Sequence, residues 1–256
     1  MENWDFGIRG VPRQVFTVAH SPLWAPKWGT MYRTLPVTFP TTKCAQLEVF
    51  ARLPLMADGL IHLDTDPEVE AISAYPMSIE YLSPITDFKS VKKAHVPDVA
   101  ARMRGGQIIF IDYIPCNEQE ANPWIERRTL ALKRHCENAM GCLYAVHDER
   151  CVLANPLFQN LKVMWRHKQT AADVAGLSLV LQSLRYCQFP STIKELRNAC
   201  LADDEVGDLI ASYLNQGDDL VFAAIMQMCI SGELDIDLSR IFAGTSEVRR
   251  RKLKGA

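Results

Sequence analysis

Residues 95–114, HVPDVAARMRGGQIIFIDYI, decide the fold of this chain. The near-continuous apolar run at 107–114 is typical of a strand buried on both faces at the centre of a sheet. The Gly-Gly pair before it predicts a hairpin turn, and a short strand at 96–101 leads into that turn. Each strand carries one acid, Asp98 or Asp112, so we expect the hairpin to bring the two carboxylates to one edge of the sheet.

Two carboxylates at one sheet edge suit a hard divalent cation. Mg²⁺ and Mn²⁺ prefer oxygen ligands, and such ions can activate water and stabilise the attacking and leaving oxygens in phosphodiester hydrolysis. Residues 44–63 have helical spacing, interrupted by a proline and a glycine, and this predicted helix offers Glu48 as a third acid. The pattern predicts a metal-dependent nuclease site formed by Asp98, Asp112 and Glu48.

The segments around this hairpin complete a mixed α/β pattern. Residues 79–82 alternate like a strand, and residues 123–140 have helical spacing that ends at Gly141. A further strand is predicted at 142–146. Strand, turn, buried strand, helix and strand in succession are typical of a mixed α/β core, which we place at residues 41–168.

Residues 1–40 are predicted to form an extended arm. Prolines recur in this segment at a density that prevents helix formation. Trp4, Trp24 and Trp28 lie between the prolines. These side chains either fix the arm to its own domain or bind a partner.

Residues 169–256 have the pattern of a helical domain. Helices are predicted, in chain order, at 171–185, 192–201 and 219–230. Thr192 and Glu195 form a capping box at the start of the second helix. A turn and an alternating strand follow at 232–238, and three helices closed by a β-element are a winged-helix pattern.

Candidates for nucleic-acid contact are local. The formal net charge is -2 and the isoelectric point is about 6.3, so the chain has no global basic field. Any DNA contact must use local patches or a basic partner. Arg127, Arg128 and Arg134 in the helix at 123–140 are candidates, as is the basic tail at 249–254. Each group could instead be an ordinary solvated surface.

Cysteine usage and hydropathy favour a cytoplasmic protein. The eight cysteines form no C-x-x-C pair and no spacing typical of a zinc site. The N-terminal residues do not read as a signal peptide, and no stretch approaches the roughly 20 apolar residues of a membrane span. We therefore expect a cytoplasmic location and no membrane contact.

The same segments resemble the TnsA family, the nuclease subunits of heteromeric DNA transposases. The restriction-endonuclease-like core of that family has a Pro-Asp pair, a hairpin and an acid-x-lysine strand, and Pro97, Asp98 and Asp112 fall on this pattern. Further matches lie, in chain order, at 43–48, 66–69, 75–76, 111–115, 141–146, 160–161 and 231–234. The ordered matches cover residues 40–170.

The resemblance implies a subunit that cuts the 5′ ends of a transposon beside a DDE transposase. It implies Mg²⁺ or Mn²⁺ held by Asp98, Asp112 and Glu48, and transposon-end DNA as the substrate. It also implies a C-terminal winged-helix region that contacts the transposase and an AAA+ regulator.

One departure from the family leaves alternatives open. Ile114 occupies the position of the motif lysine, which would orient and polarise the attacking water. Lys92 or Lys93 could replace that lysine, or the chain could be a non-catalytic scaffold that binds the same partners and DNA ends. A winged-helix DNA-binding regulator is a third interpretation, but the helix at 219–230 contains no Lys or Arg.

Overall fold

The computed structural model describes residues 6–8, 10–27, 35–86, 89–169 and 176–252. The chain forms two compact units, one of Met1–Asp64 with Glu68–Ala154 and the other of Thr65–Pro67 with Asn155–Ala256. The boundary between the units thus lies before the helix at 157–166, whereas the sequence predicts a domain boundary after this helix, at residue 168. Helices and strands occur in both units, and the predicted mixed α/β class is confirmed.

The first unit contains ten strands among its described residues. They are β1 (Phe6–Ile8), β2 (Val11–Pro12), β3 (Val37–Pro40), β4 (Glu48–Ala51), β5 (Val69–Ala74), β6 (Ile79–Thr86), β7 (Lys89–His95), β8 (Val99–Met103), β9 (Ile108–Tyr113) and β10 (Leu143–His147). The α-helices are α1 (Pro54–Thr65), α2 (Cys116–Ala121), α3 (Trp124–His135) and α4 (Glu149–Val152).

A four-stranded sheet of order β10-β9-β8-β5 forms the centre of this unit. Strands β5, β8 and β9 are antiparallel neighbours, whereas β10 runs parallel to β9. The parallel pair requires a crossover connection, and α3 supplies it. Strands β6 and β7 form a separate antiparallel hairpin, inserted in the chain between β5 and β8.

Local signals predicted most elements around the central hairpin, although the strand predicted at 96–101 lies at 99–103 as β8, and β7 was not predicted. The apolar run at 107–114 forms β9, in which every residue except Ile109 is buried. Gly106 has φ 83° in the turn before β9, and Gly141 has φ 66° at the end of the helical segment. These are left-handed conformations that glycine adopts at little cost. The predicted helix at 123–140 is α3 followed by a π-helical segment, Cys136–Met140.

The predicted helix at 44–63 is wrong over its first half. Residues 48–51 form β4, which pairs with β3, and Leu47 before it has φ 63°. The helix begins only at Pro54, because proline fits the first helical turn and biases the preceding residue towards extended backbone. Glu48 therefore lies on a strand and not on a helix.

The N-terminal segment contains more structure than an extended arm. Strands β1 and β2 pair, a 3₁₀-helix follows at Arg13–Phe16, and β3 lies near its end. The predicted absence of α-helix is confirmed for its described residues. Trp24 packs edge-on against Tyr75, with ring centroids 4.9 Å apart, so this side chain fixes the segment to its own unit. Trp4 and Trp28 lie outside the described residues.

The second unit is a helical bundle with a small sheet. Its elements are α5 (Leu157–Arg166), α6 (Gly176–Tyr186), β11 (Ser191–Thr192), α7 (Ile193–Leu201), α8 (Gly207–Asn215), α9 (Leu220–Ser231), β12 (Leu234–Ile236) and β13 (Glu247–Arg250). The strands form one antiparallel sheet of order β11-β13-β12. Eight residues of α9 are buried, so this helix is the core of the unit.

The sequence predicted part of this unit, but helices α5 and α8 were not predicted. The capping box of Thr192 and Glu195 is present at the start of α7. The predicted helices at 192–201 and 219–230 correspond to α7 and α9, while part of the predicted helix at 171–185 lies outside the described residues. The basic tail begins within β13, where Arg249 and Arg250 pair with β12, and its last two residues, 253–254, are not among those described. No helix within the described ranges combines the length and apolar character needed to cross a membrane.

Candidate functional site

Asp98 and Asp112 meet at one edge of the central sheet. Asp98 directly precedes β8, Asp112 lies near the end of β9, and the two strands are neighbours. The Asp98 backbone N–H donates to Asp112 Oδ1 at 3.0 Å, and the Tyr113 N–H donates to Asp98 Oδ2 at 2.8 Å. The two residues are only 6% and 2% exposed. The hairpin thus places the two acids side by side, and it also buries them.

An arginine, not a third acid, faces Asp98. Arg52 lies between β4 and α1, where the chain turns out of the β3–β4 hairpin. Its Nε donates to Asp98 Oδ1 at 2.7 Å and its Nη2 to Asp98 Oδ2 at 3.0 Å. The same Nη2 donates to the Tyr113 carbonyl oxygen at 2.6 Å. This bidentate geometry is the strongest common arrangement of an arginine and a carboxylate.

Three side chains converge on Asp112. His95 Nε2 lies 2.6 Å from Asp112 Oδ2, the Tyr144 hydroxyl donates to the same oxygen at 2.5 Å, and Arg128 Nη2 lies 3.5 Å away. His95 is the last residue of β7, Arg128 comes from α3 and Tyr144 from β10. The Arg128 guanidinium also lies over the Trp124 ring, 5.0 Å from its centroid. Asp112 is therefore held by three different elements.

The environment moves the pKa values of the two acids in opposite directions. Burial favours a raised pKa for Asp112, but the hydrogen bonds and charges of His95, Tyr144 and Arg128 outweigh burial and lower it below 3.8. Burial, with a further contribution from the Asp112 charge, raises the pKa of Asp98 above 3.8 despite Arg52. Burial and the Asp112 charge also raise the pKa of Tyr144, so its hydroxyl stays protonated and donates a hydrogen bond to Asp112.

The acids form the floor of a cleft of about 410 Å³. The cleft is lined by Leu23, Trp24, Arg52, Tyr75, His95, Val96, Asp98, Asp112, Ile114, Glu118 and Arg128. Ile114, at the motif lysine position, contributes an apolar side chain that is only 4% exposed. The cleft thus combines two guanidinium groups, two buried carboxylates and the exposed carboxylate of Glu118 with an apolar wall.

The residues of this cleft do not fit a divalent cation. Each of the four oxygens of Asp98 and Asp112 already accepts a hydrogen bond from the chain. A cation would have to displace the Arg52 guanidinium and would then lie close to the positive charge of Arg128. Within the described part of the chain, no group of three or more His, Cys, Asp or Glu side chains is arranged to hold a metal ion.

The remaining predicted site residues lie elsewhere. Glu48 is exposed on β4 opposite Pro40 and is not among the described residues that line the cleft. Lys92 pairs with Glu80 across the β6–β7 hairpin, with 2.5 Å between Nζ and Oε2. Lys93, also on β7, is exposed.

The three candidate arginines of α3 separate into two groups. Arg128 belongs to the acid site. Arg127 and Arg134 line a different groove beside the β6–β7 hairpin.

Sequence reasoning missed Arg52, His95 and Tyr144 as site residues. Arg52 lies 46 residues before Asp98, and no local pattern signals that pairing. Tyr144 gives a weak signal, because it is the polar side chain of a predicted strand. In the parallel pairing Tyr144 lies opposite Phe110 and therefore on the same face as Asp112, two residues further on.

Comparison of the chain with protein-family models finds no match, and no curated protein matches its sequence. The geometry of the site therefore carries the functional argument.

Proposed function

We propose that this chain is a TnsA-like subunit of a heteromeric DNA transposase that no longer cuts DNA and acts as an assembly factor at transposon ends. A DDE transposase and an AAA+ regulator are the protein partners in this proposal. The observation that carries it is the closed network around Asp98 and Asp112, in which Arg52 pairs with Asp98 and Arg128, His95 and Tyr144 contact Asp112.

The architecture supports the nuclease-like ancestry. Helix α1, the antiparallel strands β5, β8 and β9, helix α3 and the parallel strand β10 follow one another in the chain. One acid precedes β8 and the other lies on β9, as expected for a restriction-endonuclease-like core. The β6–β7 hairpin is an insertion into this arrangement.

The chemistry of the site supports the loss of cutting. Hydrolysis of a phosphodiester needs a group that positions or deprotonates water, and preorganised charge that stabilises the transition state. Ile114 cannot polarise water, and both carboxylates are committed to donors of the chain. The same network instead fixes β7, β8, β9, β10 and α3 to each other, which suits a structural role.

The second unit is better suited to binding a protein than to recognising DNA bases. Its order of α6, β11, α7, α8, α9, β12 and β13, with one three-stranded antiparallel sheet, is compatible with a winged-helix-like unit. A helix that reads bases must expose polar or basic side chains to the groove. Helix α9 is largely buried, so it cannot enter a DNA groove. We assign this unit to partner binding.

An active endonuclease is the second candidate. The juxtaposition of Asp98 and Asp112 favours it, because the hairpin places both acids where a Mg²⁺-dependent site would need them. Glu48 would not contribute from its position on β4. In this alternative a partner or the DNA itself must draw Arg52 away from Asp98.

Calorimetric titration with Mn²⁺, first of the chain alone and then of its complex with transposon-end DNA and the transposase, separates the two candidates, because only the active candidate releases Arg52 from Asp98 in the complex. We expect no saturable binding by the wild-type protein, because Arg52 occupies the carboxylates. Saturable binding that Asp98→Ala and Asp112→Ala both abolish, and that the exposed-acid control Glu70→Ala retains, would establish a metal site and overturn the loss of cutting.

A reconstitution experiment tests the assembly role. The chain would be mixed with a DDE transposase and an AAA+ regulator of a heteromeric transposon, together with end-labelled transposon DNA and Mg²⁺. We expect the chain to enter the complex while the 5′ ends remain uncut. Cleavage of the 5′ ends, or a complex that forms equally well without this chain, would contradict the proposal.

A further inference from the structure

A second groove lies between the β6–β7 hairpin and α3, away from the acid site. Its volume is about 480 Å³. It is lined by Leu82, Ser90, Arg127, Leu130, Ala131, Arg134, His135, Asn138 and Ala139. Among the described residues, no acidic side chain lines it.

One face of α3 presents two arginines to this groove. Arg127 and Arg134 are seven positions apart, which on an α-helix is almost two full turns, so they lie on the same face about 10 Å from each other. Both residues are exposed. Arg128 is rotated by about 100° from Arg127 and binds Asp112 instead. The helix therefore separates a structural arginine from two that face solvent.

The elements around the groove are basic although the chain is not. The sequences of β7 and α3, KSVKKAH and WIERRTLALKRH, contain seven lysines and arginines and one acid. Two of the seven are paired with acids outside these two elements, Arg128 with Asp112 and Lys92 with Glu80. The whole chain has a formal net charge of -2. Helix α3 packs against β6, the partner strand of β7, so this charge is concentrated on one part of the first unit. A concentrated positive patch complements a polyanion.

We propose that this groove binds the phosphodiester backbone of duplex DNA, with Arg127 and Arg134 as its phosphate contacts. The inference rests on the proposed function, since it names the surface by which a non-cutting subunit would hold a transposon end. Contacts of this kind neutralise phosphates and are independent of sequence. Leu82 and Leu130, which are 66% and 50% exposed, form the apolar part of the groove lining. In this proposal they do not contact phosphate. The charge of the surrounding elements, which is spread over a strand and a helix, favours DNA over an apolar peptide.

Fluorescence anisotropy with a labelled DNA duplex of arbitrary sequence tests this assignment on the full chain. Binding would be measured between about 50 and 200 mM salt, since each phosphate contact contributes about 0.9 to the slope of log affinity against log salt. We expect Arg127→Gln and Arg134→Gln each to weaken binding and to reduce the slope by about 1. Lys133→Gln is the matched control. It removes the same charge from the position directly before Arg134, and Lys133 does not line the groove.

Each other outcome contradicts the assignment. Equal losses for Arg134→Gln and Lys133→Gln would show a diffuse charge effect without a groove. An absence of binding by the wild type at the lowest salt would exclude DNA, and unchanged binding by Arg127→Gln and Arg134→Gln would show that the groove does not contact the phosphates. Because the assay contains neither Mg²⁺ nor partners, its failure is distinct from failure of the proposed loss of cutting.

Discussion

Arg52 holds both carboxylate oxygens of Asp98, with Nε 2.7 Å from Oδ1 and Nη2 3.0 Å from Oδ2. The pair joins the segment before α1 to the start of β8, and the Arg52 side chain is 21% exposed while that of Asp98 is 8% exposed. A positive charge from the chain thus lies where a nuclease would hold its metal ion. The folded state should therefore depend on Arg52 and not on a divalent cation.

Replacing Arg52 with methionine is expected to destabilise the protein substantially. Methionine keeps much of the length of the side chain but leaves the buried Asp98 carboxylate without its counter-charge. Loss of one partner from a buried ion pair typically costs about 3 to 5 kcal/mol, and we expect the lower end because Arg52 retains some solvent exposure. Urea unfolding measures the change in the free energy of unfolding.

The matched control for this substitution is Arg102→Met. Arg102 Nε lies 3.1 Å from Glu70 Oε2, but the two side chains are 33% and 51% exposed. Exposed pairs contribute only about 0 to 1 kcal/mol. Similar losses for Arg52→Met and Arg102→Met would mean that Arg52 is not a buried counter-charge.

The hydroxyl of Tyr144 is expected to contribute pH-dependent stability through Asp112. Tyr144→Phe removes a hydrogen bond to an ionised acceptor, which is typically worth about 1.5 to 3 kcal/mol. The pKa of Asp112 is lowered in the folded state from its ordinary 3.8. The stability that this shift provides is therefore complete above pH 3.8 and declines as pH falls through the lower folded-state value. The difference between wild type and Tyr144→Phe should be constant near neutrality and shrink in acid.

The neighbouring Tyr113 gives a control with the opposite sign. Its hydroxyl is buried and has no hydrogen-bond partner among the described residues. Tyr113→Phe removes a desolvated polar group and should raise the free energy of unfolding by about 1 kcal/mol. Unfolding of both variants at neutral pH, with a pH series for Tyr144→Phe, gives the comparison. A destabilised Tyr113→Phe, or a Tyr144→Phe deficit that grows in acid, would disprove this account of the site.

The sequence predicts the central hairpin and its two acids because those signals are local. An apolar run, a Gly-Gly turn and a proline-aspartate pair lie within 95–114 and need no distant partner to be interpreted. The capping box of Thr192 and Glu195 and the glycine at position 141 are equally local. Where the chain signals its own structure within one turn or one strand, prediction and structure agree.

The failures that concern the site involve distant partners. Residues 48–51 have helical apolar spacing but pair with 37–40 as a strand, and no short window contains that pairing. The Arg52–Asp98 and Tyr144–Asp112 contacts join positions 46 and 32 residues apart. A nuclease site needs a third acid and the sequence offers Glu48 for it, whereas the folded chain places the Arg52 guanidinium beside Asp98. The chemistry of the site therefore depends on tertiary contacts that sequence spacing does not encode.

Gly59 is expected to be essential for the packing of α1 on the sheet. A Cβ atom at this position would lie 1.9 Å from Tyr113 Cε1, because the helix approaches β9 closely there. Gly59→Ala gains about 1 kcal/mol of helix propensity but overpacks a filled core, which costs up to about 3 kcal/mol. We expect a net loss of about 2 kcal/mol, measured by thermal or urea unfolding.

Gly105 provides the matched control, since a Cβ atom there would meet nothing within 4 Å. Gly105→Ala should change the free energy of unfolding by no more than about 0.5 kcal/mol. If Gly59→Ala proved as stable as the wild type, the Tyr113 ring would have to be free to move. The close packing of α1 against β9 would then be disproved.

Asn160 is expected to anchor the loop between β12 and β13 in the second unit. This side chain is 1% exposed. Its Nδ2 donates to the carbonyl oxygens of Leu238 and Arg240 at 3.0 and 2.7 Å, and its Oδ1 accepts from the Phe242 N–H at 3.4 Å. Asn160→Ala removes these bonds together, and at about 1 kcal/mol each it should destabilise the unit by about 2 to 3 kcal/mol.

Hydrogen exchange distinguishes a local anchor from a general loss of packing. In Asn160→Ala the amides at 238–243 should exchange faster, because the hydrogen bonds that hold this loop to α5 are gone. The amides of α9 should exchange as slowly as in the wild type. Asn198→Ala, an exposed substitution on α7, should change neither exchange nor the free energy of unfolding by more than about 0.5 kcal/mol. Unaltered exchange at 238–243 in Asn160→Ala would mean that the loop is held by its own turn contacts and not by Asn160.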